Sequence, residues 1–514
     1  MFATSAPQSA SPVPPTPWPA PWPGAPVHAE VNVPASKSLT NRYLLLAALA
    51  EGPSTVINPL ESRDTELMLR ALQQLGAVSE RVPDWQGTGE HAYRITPIPF
   101  SGSRRRPGPG DSGSGSGSDP EADAGTEAWA EAGVEPRGAE ARGAEAETEE
   151  RVAVDCGLAG TVMRFLPAVA ALTGRTVDFD GDPEARVRPM GAVLEGLRAL
   201  DVAVTGHRDD ADDERPADSL PFTISSPAGV SGGEIAIDAS ASSQFVSGLL
   251  LAAPLMRQGL TLRHTGETVP SSEHIEMTME VLRDLGVSAA SPEPWVWQVS
   301  PGGIAPFTVR VEPDLSNAGP FLAAALATGG RVSMRGWPQS STQIGRRWTQ
   351  LLEQFGGNVQ TTPEPSGSTC TLTVRGGVDE FGKPAVSTPG TVTGTAELTP
   401  TVAALAALAA EPTTFREIQH LRGHETDRIA ALVAELQRLG ARAEETEDGF
   451  TILAPARSAA TVRTYADHRM ATFGAIIGLA IPEVRVEDIT CTSKTMPAFP
   501  ELWHAMVEGS PRPL

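Results

Sequence analysis

Ser36-Lys37-Ser38-Leu39-Thr40-Asn41-Arg42 opens a run that continues through Tyr43-Leu44-Leu45-Leu46-Ala47-Ala48-Leu49-Ala50, breaks at Gly52-Pro53 and resumes as Ser54-Thr55-Val56-Ile57. A serine ahead of an apolar run is a helix-opening signature, Gly-Pro ends a helix, and a β-branched run after it reads as a strand. The run is apolar nearly all round, so the spacing predicts a helix buried on every side. The same order of signals returns at Thr161–Phe179, Ser242–Leu262, Ser316–Met334, Thr399–Phe415 and Asp467–Val486. Five times a second, amphipathic helix follows and stops before another strand, at Leu75-Gly76, Leu200-Asp201, Leu285-Gly286, Phe355-Gly356 and Leu439-Gly440. The sixth such helix is expected at Ala498–Glu508. Six α/β units of one pattern predict two pseudo-threefold domains of three units each.

Buried parallel helices turn their N-termini to one face, where unpaired N–H groups and the helix dipole favour anions. Two such faces meeting across a cleft would suit a ligand with two anionic groups. The residues at the helix starts fit this. Lys37, Ser38 and Arg42 stand at the first, Gly160 at the second, and Ser242, Ser243 and Gln244 at the third. Further basic segments are Arg186-Val187-Arg188-Pro189, His424-Glu425-Thr426-Asp427-Arg428, Asp467-His468-Arg469 and Thr492-Ser493-Lys494-Thr495.

Charge and composition narrow the function. The formal net charge is −23, which argues against nucleic acid and acidic membrane surfaces as partners. Against 37 Arg stand only three Lys, at 37, 383 and 494, and two of them fall in these motifs. A Lys retained in so Arg-biased a chain points to a need for a compact ammonium or a proton that can leave. Cys156, Cys370 and Cys491 have no metal or disulfide spacing. No signal peptide or membrane span is read, so a cytoplasmic place is expected. Residues 1–27 are Pro-rich, and 101–150 run from an Arg patch through Gly-Ser repeats to an Ala-Glu tail. Both are expected to be disordered, the second as an insertion between strands at Tyr93-Arg94-Ile95 and Val152-Ala153-Val154.

Taken in order, Ser36-Lys37-Ser38…Asn41-Arg42, Ala159-Gly160-Thr161…Arg164, Ser242-Ser243-Gln244-Phe245, Glu425-Thr426-Asp427-Arg428, Asp467-His468-Arg469-Met470 and Lys494-Thr495 make the chain resemble the 5-enolpyruvylshikimate-3-phosphate synthase family of enolpyruvyl transferases. The resemblance covers about 28–100 and 151–514. It implies a two-domain inside-out α/β barrel of six βαβαββ units, with 28–35 plus 313–514 as one domain and 36–312 as the other. It implies transfer of the enolpyruvyl group of phosphoenolpyruvate to the 5-hydroxyl of shikimate 3-phosphate, by a monomer needing no metal or cofactor. Lys37, Ser38, Arg42, Ser242, Ser243, Gln244, Ser271, Glu397 and His424 would then hold shikimate 3-phosphate. Lys37, Gly160, Arg188, Gln244, Arg428, Arg469 and Lys494 would surround phosphoenolpyruvate. Glu397 would take the hydroxyl proton and Glu425 would handle the proton at the methylene carbon.

This chain departs from the commoner pattern at Glu397 (often Asp), His424 (often Lys), His274 (often Tyr), Leu158 (often Asn) and Phe165 (often Pro). Two other readings stay open from the residues. One is the sister enzyme acting on UDP-N-acetylglucosamine, which relies on a loop Cys absent from Gly181–Pro189 here. The other is a non-catalytic anion-binding repeat protein, against which the two carboxylates count.

Overall fold

The computed structural model describes residues 16–100, 151–207, 218–365, 367–423 and 426–509. Each of the six apolar runs forms a helix: Lys37–Leu49, Gly160–Leu172, Ser243–Ala252, Leu315–Thr328, Thr399–Leu408 and His468–Ala480. Four of them open on a side-chain cap, from Ser36, Ser242, Asp314 and Asp467. Nearly every residue of these helices is buried, which is why an all-round apolar sequence is stable there. The amphipathic partners are Arg63–Gln74, Gly191–Ala199, Glu273–Asp284, Trp348–Gln354, Arg428–Arg438 and Phe499–Val507. The five stops read from sequence lie in the left-handed region, from φ +62° at Asp201 to +111° at Gly76. There the chain reverses into the next strand.

The sheets lie outside these helices. Among the described residues, five have four strands and one has three. Every four-stranded sheet is built alike, with one parallel pair followed by an antiparallel hairpin. In one, Gly233–Ile237 pairs parallel with Leu260–His264, which pairs antiparallel with Val296–Val299, with Ala289–Glu293 beyond. Helices separate the strands of each unit except the last two, which form the hairpin, giving βαβαββ. The expected strands on either side of 101–150 are present but belong to different sheets. Ala92–Thr96 pairs with Ser54–Ile57, and Arg151–Asp155 with Thr176–Asp180.

The buried apolar side chains divide into two clusters. One draws on Ala35–Val311, the other on Ala20–Val33 together with Leu315–Met506. The chain passes between them twice at one place, where the Ser36 amide donates to the Glu312 carbonyl (2.8 Å) and the Asp314 amide to the Pro34 carbonyl (2.8 Å).

The expectation that 1–27 is disordered fails where those residues are described. Trp18–Pro19 forms a short strand antiparallel to Arg485–Val486 and completes the sixth sheet, whose third strand is Thr461–Val462. A proline fits there because an edge strand has no need of its N–H. The Trp18 ring meets the His504 ring edge-on at 5.6 Å, and Ala20 is buried against the helix bearing Gly478. Residues 1–15 and 101–150 lie outside the described residues.

Candidate active site

All six buried helices begin at one cleft between the two clusters. Their first residues line it: Lys37 and Ser38; Gly160, Thr161 and Arg164; Ser243 and Gln244; Ser316 and Asn317; His468 and Arg469. Glu397 arrives on the 3-10 turn Ala396–Leu398 that leads into Thr399–Leu408. Among the described residues, six cations (Lys37, Arg164, Arg188, Arg428, Arg469 and Lys494) face three carboxylates (Asp64, Asp314 and Glu397) across a wall otherwise rich in hydroxyls and amides. In a chain of net charge −23, such an excess of positive charge, joined to six helix N-termini, is a strong anion trap.

Of the residues singled out in the sequence, Lys37, Ser38, Gly160, Arg188, Ser242, Ser243, Gln244, Ser271, Glu397, Arg428, Arg469 and Lys494 line this cleft. Arg42 does not. Its Nε donates to Thr278 Oγ1 (2.8 Å), Nη1 to the Ser38 carbonyl (2.9 Å), and Nη2 to the His274 carbonyl (2.8 Å) and Ser247 Oγ (3.4 Å). Burial pushes its pKa down to about 9. Arg42 therefore acts as a girder behind the wall, with its donors turned to protein acceptors. His424 and Glu425 lie outside the described residues.

Five of these cations have a neighbour that fixes them. Lys37 Nζ lies 3.2 Å from Asp64 Oδ2, a carboxylate brought in by the helix Arg63–Gln74. Arg188 donates through Nη1 to the Leu158 carbonyl (3.0 Å) and lies against Gly160. Arg164 donates to Gln244 Oε1 (2.9 Å) while its guanidinium covers the Phe245 ring at 5.2 Å. Asp467 holds two arginines at once. Its carboxylate accepts from Arg428 Nε (2.6 Å) and Nη2 (3.3 Å), and its Oδ1 caps the backbone N–H of Arg469 (2.8 Å). Two consecutive left-handed residues, Tyr465 (φ +53°) and Ala466 (φ +54°), deliver Asp467 to that position. The buried Glu435 holds the turn, accepting from the Tyr465 hydroxyl (2.8 Å) and the Arg463 amide (3.0 Å).

Glu397 differs from the other two carboxylates in the number of donors it meets. Its Oε1 accepts from Ser316 Oγ (2.7 Å) and Arg469 Nη2 (3.2 Å), and its Oε2 lies 3.1 Å from His274 Nε2. Burial pushes the carboxyl up, but the Arg469 charge and the bonds from His274 and Ser316 outweigh it and hold the group well below the usual carboxylate range. Asp314 goes the other way, raised by burial. An ionised carboxylate thus sits among cations, beside a second carboxyl that holds its proton more tightly.

The sequence reading left Asp64, Arg164, Asp314, Ser316, Asn317, Gln343 and His468 without a role, and all line the cleft. Asp314-Leu315-Ser316-Asn317 carries a usable signal, since Asp314 caps Asn317 N (3.0 Å) at the start of Leu315–Thr328. Among the described residues no group of three or more His, Cys, Asp or Glu is placed to hold a metal ion, and no helix is long and apolar enough to cross a membrane.

Comparison with known proteins agrees with this geometry. The family model for EPSP synthase (3-phosphoshikimate 1-carboxyvinyltransferase) matches residues 21–93 and 130–503. Relatives named 3-phosphoshikimate 1-carboxyvinyltransferase include one from Kocuria rhizophila, 48% identical over 492 residues (95% of this chain and 96% of that protein). Another, from Mycobacterium ulcerans, is 44% identical over 500 residues (96% and 98%). Among solved structures, an EPSP synthase from Acinetobacter baumannii superposes with a TM-score of 0.69 at 20% identity, covering 95% of this chain and 97% of that one. The enolpyruvyl transferase NikO from Streptomyces tendae gives 0.61 at 16% identity, covering 94% and 95%. The structural likenesses bear on the fold, which is that of the inside-out α/β enolpyruvyl transferases. The reading as a UDP-N-acetylglucosamine enzyme finds no support in these matches. With a family model spanning most of its length and near-full-length relatives approaching half identity, this chain belongs to the EPSP synthase family, the 3-phosphoshikimate 1-carboxyvinyltransferases.

Proposed function

We propose that this chain performs its family's reaction, transfer of the enolpyruvyl group of phosphoenolpyruvate to the 5-hydroxyl of shikimate 3-phosphate, by dividing the cleft into two anion pockets that share Lys37. Ser38, Ser242, Ser243, Gln244 and Ser271 hold the phosphate and hydroxyls of shikimate 3-phosphate. Gly160, Arg188, Arg428, Arg469 and Lys494 surround phosphoenolpyruvate, with Gln244 between the two. His424 is assigned to the first pocket from the sequence alone. Arg42 is withdrawn from it, because its donors are spent on the wall.

The chemistry requires opposed proton transfers. A proton added to the methylene carbon of phosphoenolpyruvate makes C2 electrophilic, and the 5-oxygen of shikimate 3-phosphate attacks there while its proton passes to Glu397. The tetrahedral intermediate collapses by breaking the C2–O bond to phosphate, and loss of a proton from the methyl carbon restores the vinyl group. Glu425 is assigned to the carbon proton, and Lys37 donates to the leaving phosphate oxygen. The surrounding cations stabilise the negative charge that collects on phosphate as that bond breaks. The protein works as a cytoplasmic monomer on these two small molecules, with no nucleic acid or membrane partner.

The observation that carries this reading is the carboxylate of Glu397, held by Ser316, Arg469 and His274 among the cations of the cleft. An acid in an anion site costs affinity unless it handles a proton. The test is release of inorganic phosphate from phosphoenolpyruvate, which is expected only when shikimate 3-phosphate is present. E397Q is expected to lose turnover while still binding both substrates. Phosphate release independent of shikimate 3-phosphate, from folded protein, would sink the proposal.

A further inference from the structure

Glu397 and His274 come from opposite sides of the cleft. His274 lies on the first turn of Glu273–Asp284, whose apolar face belongs to the first core, whereas Glu397 precedes Thr399–Leu408 of the second. Their 3.1 Å contact therefore crosses between the two halves, while the other two bonds to the carboxylate, from Ser316 and Arg469, stay within the second half.

Both ends of the contact are rigidly mounted. The His274 carbonyl accepts from Arg42 Nη2 (2.8 Å), Thr278 Oγ1 (3.0 Å) and Ser247 Oγ (3.3 Å), so the girder Arg42 fixes the residue that reaches across. On the other side Ala396 is held at φ +40°, with its carbonyl accepting from Thr399 Oγ1 (2.6 Å). A carboxylate offers about four lone-pair directions. Oε1 spends its two on Ser316 and Arg469, and Oε2 spends one on His274, leaving one directed acceptor for an incoming hydroxyl.

We infer that His274 is a positioning residue for the base, aiming Glu397 through a contact that exists only when the two halves of the molecule meet. This inference rests on the reading of Glu397 as the base. It couples closure to catalysis: with the halves apart, Glu397 keeps two donors on Oε1 and its Oε2 is free to turn. The other charged and titratable groups near the pair are Arg469, Asp314, His420 and, beside His274 itself, Glu273, and none of them is itself altered by changing His274 alone.

H274F keeps a ring and removes the donor, H274Q restores an N–H at similar reach, and E397D draws the carboxylate back by one C–C bond, about 1.5 Å, out of hydrogen-bond range of His274. Steady-state kinetics against both substrates are expected to show kcat down about ten-fold or more in H274F, the worth of one hydrogen bond to a charged group, with each KM within about two-fold. The acid limb of the kcat–pH profile is expected to move to higher pH, because the lost bond favoured the ionised form. H274Q is expected to recover most of both changes. In an E397D background, H274F is expected to cost little more, since the contact is already gone. Should H274F not fold, H274A repeats the comparison without added bulk. An H274F enzyme with parental kcat and an unmoved acid limb, beside an inactive E397Q, would overturn this inference alone. An active E397Q would overturn the base assignment and this inference with it.

Discussion

Asp467→Asn tests how much of the cleft depends on one buried charge. Asp467 is fully buried, and the Arg428 side chain beside it is 2% exposed, so neither partner can turn to water when the other is lost. Removing one member of such a pair costs about 3–5 kcal/mol, mainly through the ion left uncompensated. Asparagine keeps an acceptor for the Arg469 amide and one oxygen for Arg428, so the lower end, about 3 kcal/mol, is expected. For a cooperative unit of about 200 residues each kcal/mol shifts Tm by about 2–4 °C, giving a fall of about 6–12 °C. Calorimetry reads this directly. The same variant is expected to raise KM for phosphoenolpyruvate, since Arg428 loses its anchor, and to leave KM for shikimate 3-phosphate within about two-fold. Asp467→Ala is expected to lose about 1 kcal/mol more, the worth of the helix cap. A D467N enzyme whose Tm falls by less than about 2 °C with an unchanged KM would refute the reasoning, by showing that Arg428 is held without its carboxylate.

Three further outcomes are expected. Gly160→Ala places a methyl 3.0 Å from Arg188 Nη2 and 3.2 Å from Gln244 Oε1, so Arg188 must retreat by a few tenths of an ångström. KM for phosphoenolpyruvate is expected to rise about ten-fold with little loss of stability, and an equal rise for shikimate 3-phosphate would contradict that placement. Gly248→Ala sets a methyl 2.2 Å from the Arg164 carbonyl, a backbone atom that cannot swing aside. The gain of about 1 kcal/mol in helix propensity is smaller than the about 1–3 kcal/mol cost of overpacking, so the melting temperature is expected to fall, and a rise would show that the two helices part easily. Because Glu397 is held below its unfolded pKa of about 4.3, its contribution to stability is complete above that value and drains away as pH falls through the folded pKa. Denaturant midpoints of the parent and E397Q are therefore expected to converge as pH falls below the unfolded value, and a constant gap would contradict the depressed pKa.

Much of this was legible because the repeat is local. A cap, an apolar run, a Gly or Pro stop and a β-branched run lie within about twenty residues, and each signal acts through its own neighbours. The cleft followed from the helix starts, since elements of one polarity must turn their N-termini the same way. What could not be read depends on partners far along the chain. Arg42 stands in a motif beside Lys37 and looks like a ligand, but Thr278 and His274, more than 230 residues on, take its donors. Asp64 aims Lys37 from the next helix, with nothing in its own surroundings to mark it. Trp18–Pro19 sits in a composition typical of disorder, and only the edge of a sheet made by Arg485–Val486 gives it a structure.

That last pairing has a consequence for how the molecule is made. Residues 36–312 can bury their core once the last of them has left the ribosome, since the partners lie within that span. His28–Val31 must wait for Arg331–Pro338, and Trp18–Pro19 for Arg485–Val486, some 466 residues later. At about 5–20 residues per second, the first segment emerges about 20–90 s before its last partner exists. Until then Trp18 and Ala20 lack the partners that cover them in the finished structure. Residues made early are thus among the last to find their place.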